Sequence, residues 1–327
     1  MATYKGIQGY TVQKLATDPT ASEAEGQLWY NSTAGKFKIS AGGAASWSSG
    51  GSLNTAREAI TQAGTQTAAI AMGGYGSPAS YKTETETYDG TTWTEVNDLN
   101  TARSRGTCNV GTQTAALIGA GIAPSTQLLC ETWDGTCWTE VGNLNLARHS
   151  LGGAGTTTAA LAFGGDATPG YTTGETEKWD GTSWTEVNNL NTGRANIAGG
   201  GTQIAALGFS GYTGGGASGQ EKNTESYDGT SWTEVADLLV GSGWSGGAGT
   251  TTAAICYGSY PTPVQKNCEI WDGTSWAATT AMTTARGDIR GTGTAALGLV
   301  AGGGPAPQTT VEEYDNAPIT VKTVTVS

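Results

Sequence analysis

A short motif, Asp-Gly-Thr-x-Trp, occurs five times in the 327-residue chain and places a carboxylate, a hydroxyl and an indole close together each time. The aspartates of the five copies are Asp89, Asp134, Asp180, Asp228 and Asp272. A rim of carboxylates suggests Ca²⁺ binding, but one carboxylate per turn falls short of the roughly 6–8 oxygen ligands that Ca²⁺ takes. Asp followed by Gly between β-rich runs is typical of a tight hairpin turn, because Gly readily adopts a positive φ. The motif therefore predicts turns rather than metal sites.

Tryptophan and arginine recur at the same period as this motif. The tryptophans that close the motifs are Trp93, Trp138, Trp184, Trp232 and Trp276. The recurring arginines are Arg57, Arg103, Arg148, Arg194 and Arg286. Indoles can act as platforms for sugar rings, but recurrence in nearly every unit favours packing between units, where each aromatic side chain buries on the order of 150–250 Å². For the arginines we expect a structural role, paired with neighbouring acids.

Residues suited to acid–base or metal chemistry are scarce. The chain has one histidine, His149, and that residue stands in a single copy of the repeat, which predicts no catalytic role. The cysteines are Cys108, Cys130, Cys137, Cys256 and Cys268. An odd and sparse set of cysteines favours reduced thiols, with a local disulfide between Cys256 and Cys268 as the alternative. We therefore expect a protein that is not an enzyme, with no catalytic residue, no metal site and no cofactor.

The charge balance narrows the range of partners. Acidic residues outnumber basic ones 28 to 16, and the net charge is −12. Binding to nucleic acid or to an anionic membrane needs clustered Lys and Arg, so we expect neither partner. No run approaches the ~20 apolar residues that span a bilayer, and the first ten residues lack the pattern of a secretory signal, so we expect folding in a cytoplasm without membrane insertion.

Internal repetition organises most of the sequence. Successive closing tryptophans are 45, 46, 48 and 44 residues apart, and a degenerate copy of the motif begins at Tyr314. The segment at 238–242 has lost the recurring arginine but keeps the spacing. Six repeats result, with boundaries near 53–98, 99–143, 144–189, 190–237, 238–281 and 282–327.

Within each repeat the pattern predicts four short strands and no helix. In the second repeat, extended or apolar runs at 103–110, 114–118 and 128–133 are followed by the Asp-Gly turn and a last run at 138–141. Four strands in about 45 residues are typical of one propeller blade. Because a single four-stranded sheet cannot bury both faces, the sheets must pack on one another. The sequence therefore predicts an all-β fold, a six-bladed β-propeller.

Several residue patterns resemble known families. An apolar run ending in Gly-Gly, as in Met72-Gly-Gly74, followed by Tyr or Trp and by a second Trp five residues later, resembles the kelch repeat over residues 53–315. The short motifs Asn-Thr-Ala-Arg, Gly-Thr-Gln-Thr-Ala-Ala and Tyr-Asp-Gly-Thr-Ser-Trp resemble those of kelch-like virion proteins of marine bacteriophages. The opening, with Gly-Gln-Leu-Trp-Tyr-Asn-Ser-Thr at 26–33, is similar to short modules that begin phage fibre and structural proteins. These resemblances imply a structural protein of the virion surface that is assembled in the host cytoplasm.

The termini pose the question of how the last repeat is completed, because that repeat lacks a closing tryptophan. One candidate for its outermost strand is the segment around Trp47, which lies 46 residues before Trp93, and the other is the β-branched run at 319–326. We favour the Trp47 segment, with the C-terminal run beside it or paired with a neighbouring chain. Residues 1–44 then form a separate attachment module with a hairpin around 31–36, and residues 45–327 form the propeller.

The loops between the second and third strands differ from repeat to repeat, whereas the Asp-Gly turns are nearly identical. Tyr, Gly and Ser on adaptable loops are typical of binding surfaces, because Tyr gives contact area at a low entropic cost. Neutral drift of exposed loops is the alternative explanation for this variation. The candidate ligand-binding residues are Tyr75, Tyr81, Tyr171, Tyr212 and Tyr260.

Three functional hypotheses follow. The first is a non-enzymatic phage virion protein, a tail fibre, receptor-binding or decoration protein that displays the propeller for host-surface recognition. Its partners would be other virion proteins through residues 1–44, a glycan or protein of the host surface, and other copies of itself. The second is a soluble glycan-binding lectin or protein-interaction scaffold. The third, a glycan-cleaving enzyme, requires two carboxylates about 5–10 Å apart in one pocket.

Overall fold

The computed structural model describes residues 12–17, 28–41, 44–107, 109–167, 171–214, 219–260, 263–316 and 320–323. Within these residues every extended regular element is a β-strand and no α-helix occurs, which confirms the predicted all-β class. No helix in the described part is long and apolar enough to cross a membrane. The strands form nine small sheets, seven with four strands and two with three, an arrangement consistent with a propeller-like fold. Cys108 lies outside the described residues.

Six of the four-stranded sheets follow the six sequence repeats, and we number them 1 to 6. In each sheet the strands are antiparallel neighbours in the order first to fourth, and we call the first the inner strand. Sheet 1 contains Thr61–Thr65, Ala68–Met72, Thr85–Tyr88 and Trp93–Val96, and sheet 2 contains Gly111–Thr112, Ala115–Gly119, Cys130–Trp133 and Trp138–Val141. Sheet 3 contains Gly152–Thr156, Ala159–Phe163, Thr176–Trp179 and Trp184–Val187, and sheet 4 contains Ala198–Thr202, Ala205–Phe209, Thr224–Tyr227 and Trp232–Val235. Sheet 5 contains Gly246–Gly249, Ala254–Ser259, Gln265–Trp271 and Trp276–Thr279, and sheet 6 contains Gly291–Gly293, Leu297–Ala301, Val311–Asp315 and Ser46–Ser49.

The fourth strand of sheet 6 comes from the N-terminal side of the chain. Ser46–Ser49 pairs with Val311–Asp315, and Trp47 lies directly opposite Tyr314. The Trp47 indole also donates a hydrogen bond to the Thr280 carbonyl of repeat 5 (3.0 Å). The favoured candidate for the outermost strand is therefore confirmed.

The C-terminal run takes a different partner from the one expected. Thr320–Thr323 pairs antiparallel with Lys36–Ala41 instead of lying beside the Trp47 strand. A β-branched run specifies that a strand forms, but not which sheet edge receives it. Residues 316–327 consequently belong with residues 1–45 in one compact unit, and residues 46–315 form the other, so the assignment of the C-terminus to the propeller was wrong.

The smaller unit contains one sheet, with strands Gln13–Leu15, Leu28–Asn31, Lys36–Ala41 and Thr320–Thr323. The second and third strands form the hairpin predicted around 31–36, in which Asn31 lies opposite Lys36. The Asn31 Oδ1 accepts the backbone N–H of Ala34 (2.8 Å) and so stabilises the turn. Trp29 is the large buried residue of this unit.

The apolar core of the larger unit lies between sheets rather than within them. Each of five buried clusters combines residues of two successive repeats, and one of the five joins repeat 6 to repeat 1 through Leu299, Val311, Ile60 and Trp93. The five closing tryptophans are buried within these clusters. Trp276 also donates its indole N–H to Thr224 Oγ1 of the preceding sheet (2.9 Å). The packing role expected for the recurring indoles is therefore confirmed.

The recurring arginines form buried ion pairs inside their own repeats, as expected. Their partners lie on the third strands, and the pairs are Arg57–Glu86, Arg103–Glu131, Arg148–Glu177, Arg194–Glu225 and Arg286–Glu312. Each glutamate also accepts backbone N–H groups at the start of its repeat, as Glu131 does from Asn100 (2.8 Å). Every such pair therefore joins the entry of a repeat to its third strand.

The inner strands approach one another closely. The inner strand of each sheet contacts that of the next, and the inner strand of sheet 6 contacts that of sheet 1. Asn109 of repeat 2 donates from Nδ2 to the carbonyls of Gly199 (2.8 Å) and Gly247 (3.0 Å) in sheets 4 and 5. Glycine is required at the close approaches, since a Cβ on Gly200 would lie 2.6 Å from the Gly249 carbonyl oxygen.

Candidate ligand-binding site

One end of the larger unit carries the loops between second and third strands, and we call it the loop face. Two small three-stranded sheets stiffen these loops. Their strands are Arg57–Glu58, Tyr75–Gly76 and Ser80–Tyr81 in repeat 1, and Arg148–His149, Asp166–Ala167 and Tyr171–Thr172 in repeat 3. In the first of them Glu58 pairs with Tyr75, and Tyr75 pairs with Tyr81. Directly opposite residues of antiparallel strands point to one face, so this register brings the carboxyl and both phenols together.

Tyr75 and Tyr81 line a pocket of about 220 Å³ together with Glu58, Arg105 and Asp288. The two rings meet edge to face with their centroids 5.3 Å apart. Both side chains are half-buried, so each presents part of its surface to the pocket.

Arg105 and Asp288 form the charged wall of this pocket. The guanidinium donates from Nη2 to Asp288 Oδ2 (2.5 Å) and from Nε to Oδ1 (3.4 Å). Burial, reinforced by the nearby Asp288 charge, raises the pKa of Glu58 above its usual value. Within the described residues Glu58 forms no ion pair within 4.0 Å, so its ionised form gives the pocket one more negative charge than positive charge.

A second pocket, of about 820 Å³, lies on the same face. Tyr171, Tyr212, His149 and Asp166 line it, and Ile122 lines both pockets, so the two are adjacent. Burial, followed by the charges of Arg105 and Arg290, lowers the pKa of His149 to about 4, so the imidazole is neutral near pH 7. His149 thus lines a pocket, a position that its isolated occurrence in the sequence did not indicate.

The structure groups the five candidate tyrosines unequally. Tyr75 and Tyr81 line the smaller pocket, Tyr171 and Tyr212 line the larger one, and Tyr171 is 51% exposed. Tyr260 is not among the lining residues of either pocket. Its ring lies 6.1 Å from that of Trp244, whose own centroid is 4.7 Å from that of Tyr212. An aromatic row therefore extends from the larger pocket to Tyr260.

Sequence reasoning missed the polar residues between the loops. Six residues with positive φ, between 50° and 61°, precede the inner strands, one per repeat; they are Ala59, Arg105, Ser150, Asn196, Trp244 and Asp288. Each stands two residues after the recurring arginine, or after Ser242 in repeat 5. The available signal was variation: this position carries a different residue in every repeat, although the arginine two residues before it recurs in five of the six repeats.

Backbone hydrogen bonds connect five of these six positions from repeat to repeat, and the sixth, Trp244, accepts from the neighbouring Ile289 N instead (3.4 Å). Arg105 N donates to Ala59 O (3.0 Å), Ser150 N to Arg105 O (2.7 Å) and Asn196 N to Ser150 O (2.7 Å). Ala59 N donates in turn to the Asp288 carbonyl (2.9 Å), which joins the first repeat to the sixth. The side chains that approach the pockets from between the loops are therefore carried on a hydrogen-bonded backbone.

The other sequence candidates lie outside these pockets. The Asp-Gly segments are hairpin turns at the opposite ends of the strands; in the first, Gly90 has φ 94° and Asp89 Oδ1 accepts the backbone N–H groups of Thr91 and Thr92 (both 2.8 Å). Cys130, Cys137, Cys256 and Cys268 are free. Cys268 lies opposite Tyr257 and Cys256 opposite Glu269, so the two thiols project from opposite faces of sheet 5 and the alternative of a local disulfide was wrong.

Two carboxylates, Glu58 and Asp288, line one pocket, and a pair of carboxylates is part of what a glycan-cleaving enzyme requires. Asp288 is held by Arg105 through both carboxylate oxygens. No group of three or more His, Cys, Asp or Glu side chains suited to a metal ion occurs in the described part of the chain.

No family model and no curated protein matches this sequence.

Proposed function

We propose that this chain is a non-enzymatic recognition protein of a phage particle, a six-bladed kelch-like β-propeller that binds a host-surface ligand on its loop face. The observation that carries the recognition role is the pair of adjacent pockets, about 220 and 820 Å³, which four of the five candidate tyrosines line. Tyrosine contributes rigid, amphipathic contact area, as binding surfaces require.

Contacts between the first and last repeats support closure into six blades. Gln66 donates from Nε2 to the carbonyls of Gly298 (3.1 Å) and Tyr314 (2.7 Å), and Thr292 donates to the carbonyl of Gly64 (2.7 Å). Together with the Ala59–Asp288 hydrogen bond, these contacts join both ends of the repeat series. Closure of this kind leaves only short sheet edges exposed.

The virion setting rests on the resemblance of the repeats and of the opening segment to phage structural proteins. In this proposal residues 1–44 attach the chain to other virion proteins at the particle surface, after assembly in the host cytoplasm, and the chain can form homo-oligomers. A soluble lectin or protein-interaction scaffold is the alternative, because the pockets alone require no particle.

Binding of the intact chain to host cells and to a glycan array tests the recognition role. We expect Tyr81→Ala and Tyr212→Ala, one in each pocket, to weaken binding. Ile204→Ala is the control, since Ile204 is 62% exposed in the hairpin between the first and second strands of sheet 4, away from the loops. Binding that both tyrosine variants leave unchanged would overturn the proposal, and release of new reducing ends from a bound glycan would favour the enzymatic hypothesis.

Attachment is tested separately. Phage particles assembled with a chain that lacks residues 1–44 should contain none of the shortened chain. The alternative scaffold role predicts that no phage particle requires this segment. Normal incorporation of the shortened chain would contradict the attachment role of residues 1–44.

A further inference from the structure

The smaller pocket has the composition of a site for a positively charged organic group. Glu58 and Asp288 contribute two carboxylates, and Arg105 contributes one guanidinium, which Asp288 already binds through both of its oxygens. The Glu58 carboxylate is thus left without an ion-pair partner among the described residues. A ligand with one positive charge would neutralise this surplus.

The aromatic residues of the pocket favour the same kind of ligand. Glu58, Tyr75 and Tyr81 follow one another across the three strands of the small sheet, so the Tyr75 phenol lies next to the carboxylate and the Tyr81 phenol lies beyond it on the same face. Cations are attracted to the faces of aromatic rings, and an ammonium group between a ring and a carboxylate gains from both. The edge-to-face arrangement of the rings, with centroids 5.3 Å apart, prevents them from stacking on each other and leaves ring surface for a ligand.

Size and polarity limit the ligand further. The pocket of about 220 Å³ is smaller than the roughly 300–1,000 Å³ typical of sites for drug-sized molecules. It therefore suits one ring or the end of a chain. The Arg105–Asp288 pair and Ser104 add hydrogen-bonding groups to the pocket lining, which suits a ring with several hydroxyl groups better than an alkyl chain that ends in a single amine.

We infer that this pocket binds the protonated amino sugar of a host-surface glycan, with its ammonium group against Glu58 and the two tyrosines and its hydroxyl groups against Arg105 and Asp288. This inference rests on the proposed recognition function and names the chemistry of its ligand. The larger pocket, with a neutral His149, would accommodate the sugars that follow along the same glycan.

Calorimetric titration of the intact chain tests this inference. The probes are a glucosamine trimer and its N-acetylated counterpart, which has the same rings but no positive charge. The titration is run at about pH 6, where amines with electron-withdrawing neighbours, like α-amino groups, are largely protonated. We expect the glucosamine trimer to bind roughly tenfold or more tightly than the acetylated trimer, since its ammonium group gains a desolvated cation–π contact and a carboxylate partner.

Three variants locate the effect. Glu58→Gln keeps the shape of the side chain and removes its charge, and should abolish the preference for the free amine. Tyr81→Ala should weaken binding of the glucosamine trimer roughly tenfold. Ile204→Ala, away from the loop face, should leave both the affinity and the preference for the free amine intact.

Equal affinity for both trimers, a preference that survives Glu58→Gln, or no binding of either trimer would overturn the amino-sugar assignment. Tighter binding of a lysine-containing peptide than of the glucosamine trimer would also overturn it, in favour of a protein ligand. Each of these results leaves the recognition role intact as long as Tyr81→Ala and Tyr212→Ala reduce binding to host cells. Loss of that dependence would contradict the recognition role itself.

Discussion

At the scale of single residues, the buried arginine–glutamate pairs define each repeat. Burial lowers the pKa of Arg57, Arg103, Arg148 and Arg194, and the partner glutamate opposes this effect in every case. The sequence revealed the recurring arginine and the class of its partner. It did not reveal which acid would pair, because the glutamate is selected by the register of the third strand, 26 to 31 residues away.

Removal of one member of such a pair should destabilise the chain strongly. Arg103→Met leaves the Glu131 carboxylate buried without its cation, and loss of one partner of a buried pair costs about 3–5 kcal/mol. The double variant Arg103→Met with Glu131→Gln should lose less stability than Arg103→Met alone. Urea unfolding measures both, and a loss below about 1 kcal/mol for the single variant would contradict a structural role of the pair.

Repeat 5 shows what accompanies the loss of the arginine. Ser242 stands where the other repeats have the arginine. Glu269 still accepts the backbone N–H groups of Leu239 (2.8 Å) and Val240 (3.0 Å). Ser259 stands where the repeats that have the arginine have a glycine. In repeat 2 that glycine is Gly121, where an added Cβ would lie 3.4 Å from Cβ and 3.6 Å from Cδ of the arginine. The two serines therefore occupy space that arginine fills in other repeats.

This exchange predicts coupling between the two positions. The double variant Ser242→Arg with Ser259→Gly should restore the ion pair to Glu269. Its free energy of unfolding should exceed the value expected from the two single variants by about 0.5–3 kcal/mol, the coupling energy typical of residues in contact. A double-mutant cycle from denaturant unfolding provides the coupling energy. Additive effects of the two substitutions would show that the exchange is unrelated to the missing arginine.

At the scale of elements, the hairpins were the most predictable feature and the loops the least. Asp-Gly specified the turns because the local backbone and the aspartate carboxylate together form them, as in Asp272, which accepts the N–H groups of Thr274 and Ser275 (both 2.8 Å). The small sheets of repeats 1 and 3 were not foreseen, since strands of two residues carry no periodic pattern. The tyrosines were selected because they lie on loops that vary between repeats, and four of them line pockets in the structure.

The aspartates of the turns should make the stability of the chain depend on pH. Hydrogen bonds from the turn lower the pKa of all five motif aspartates, that of Asp272 to about 2, whereas an unfolded aspartate titrates near 3.9. A depressed folded-state pKa contributes stability that is present above about pH 4 and is lost as the pH falls through the folded value. Part of the thermal stability should therefore disappear between about pH 4 and pH 2.

Asp272→Asn should reduce this dependence, because the amide oxygen still accepts turn hydrogen bonds but does not titrate. The melting temperature, measured across this range, should fall less steeply with pH for the variant than for the parent chain. Asp237→Asn is the control, since Asp237 is exposed and lies outside the turns. Equal slopes for Asp272→Asn and the parent would contradict the role of the turn carboxylates.

At the scale of the whole molecule, the number of repeats and the packing role of the indoles followed from the sequence, because both depend on recurring residues. Two features did not follow. The destination of the C-terminal run, which pairs with Lys36–Ala41, depends on which sheet edge is open. The six positive-φ residues have no common side chain, and they share only their backbone conformation and their place in the repeat.

Closure of the repeats matters for function because the smaller pocket depends on it. Asp288 of repeat 6 forms its charged wall together with Arg105 of repeat 2, and Ala59 of repeat 1 lies between them. If the first and last repeats separated, Asp288 would leave Glu58 and both tyrosines. The proposed recognition on the loop face thus requires the first and last repeats to stay joined in solution.

Native-state hydrogen exchange, resolved by repeat, tests this claim most directly. In an open series of repeats the terminal units fray, whereas in a closed ring every unit has two neighbours. We predict that the inner strands of sheets 1 and 6 are as strongly protected as those of sheets 3 and 4, and that Trp47→Ala lowers protection in sheets 5 and 6 first. Exchange in sheets 1 and 6 that is about a hundredfold faster than in sheets 3 and 4 would contradict closure, and with it the pocket and the proposed recognition function.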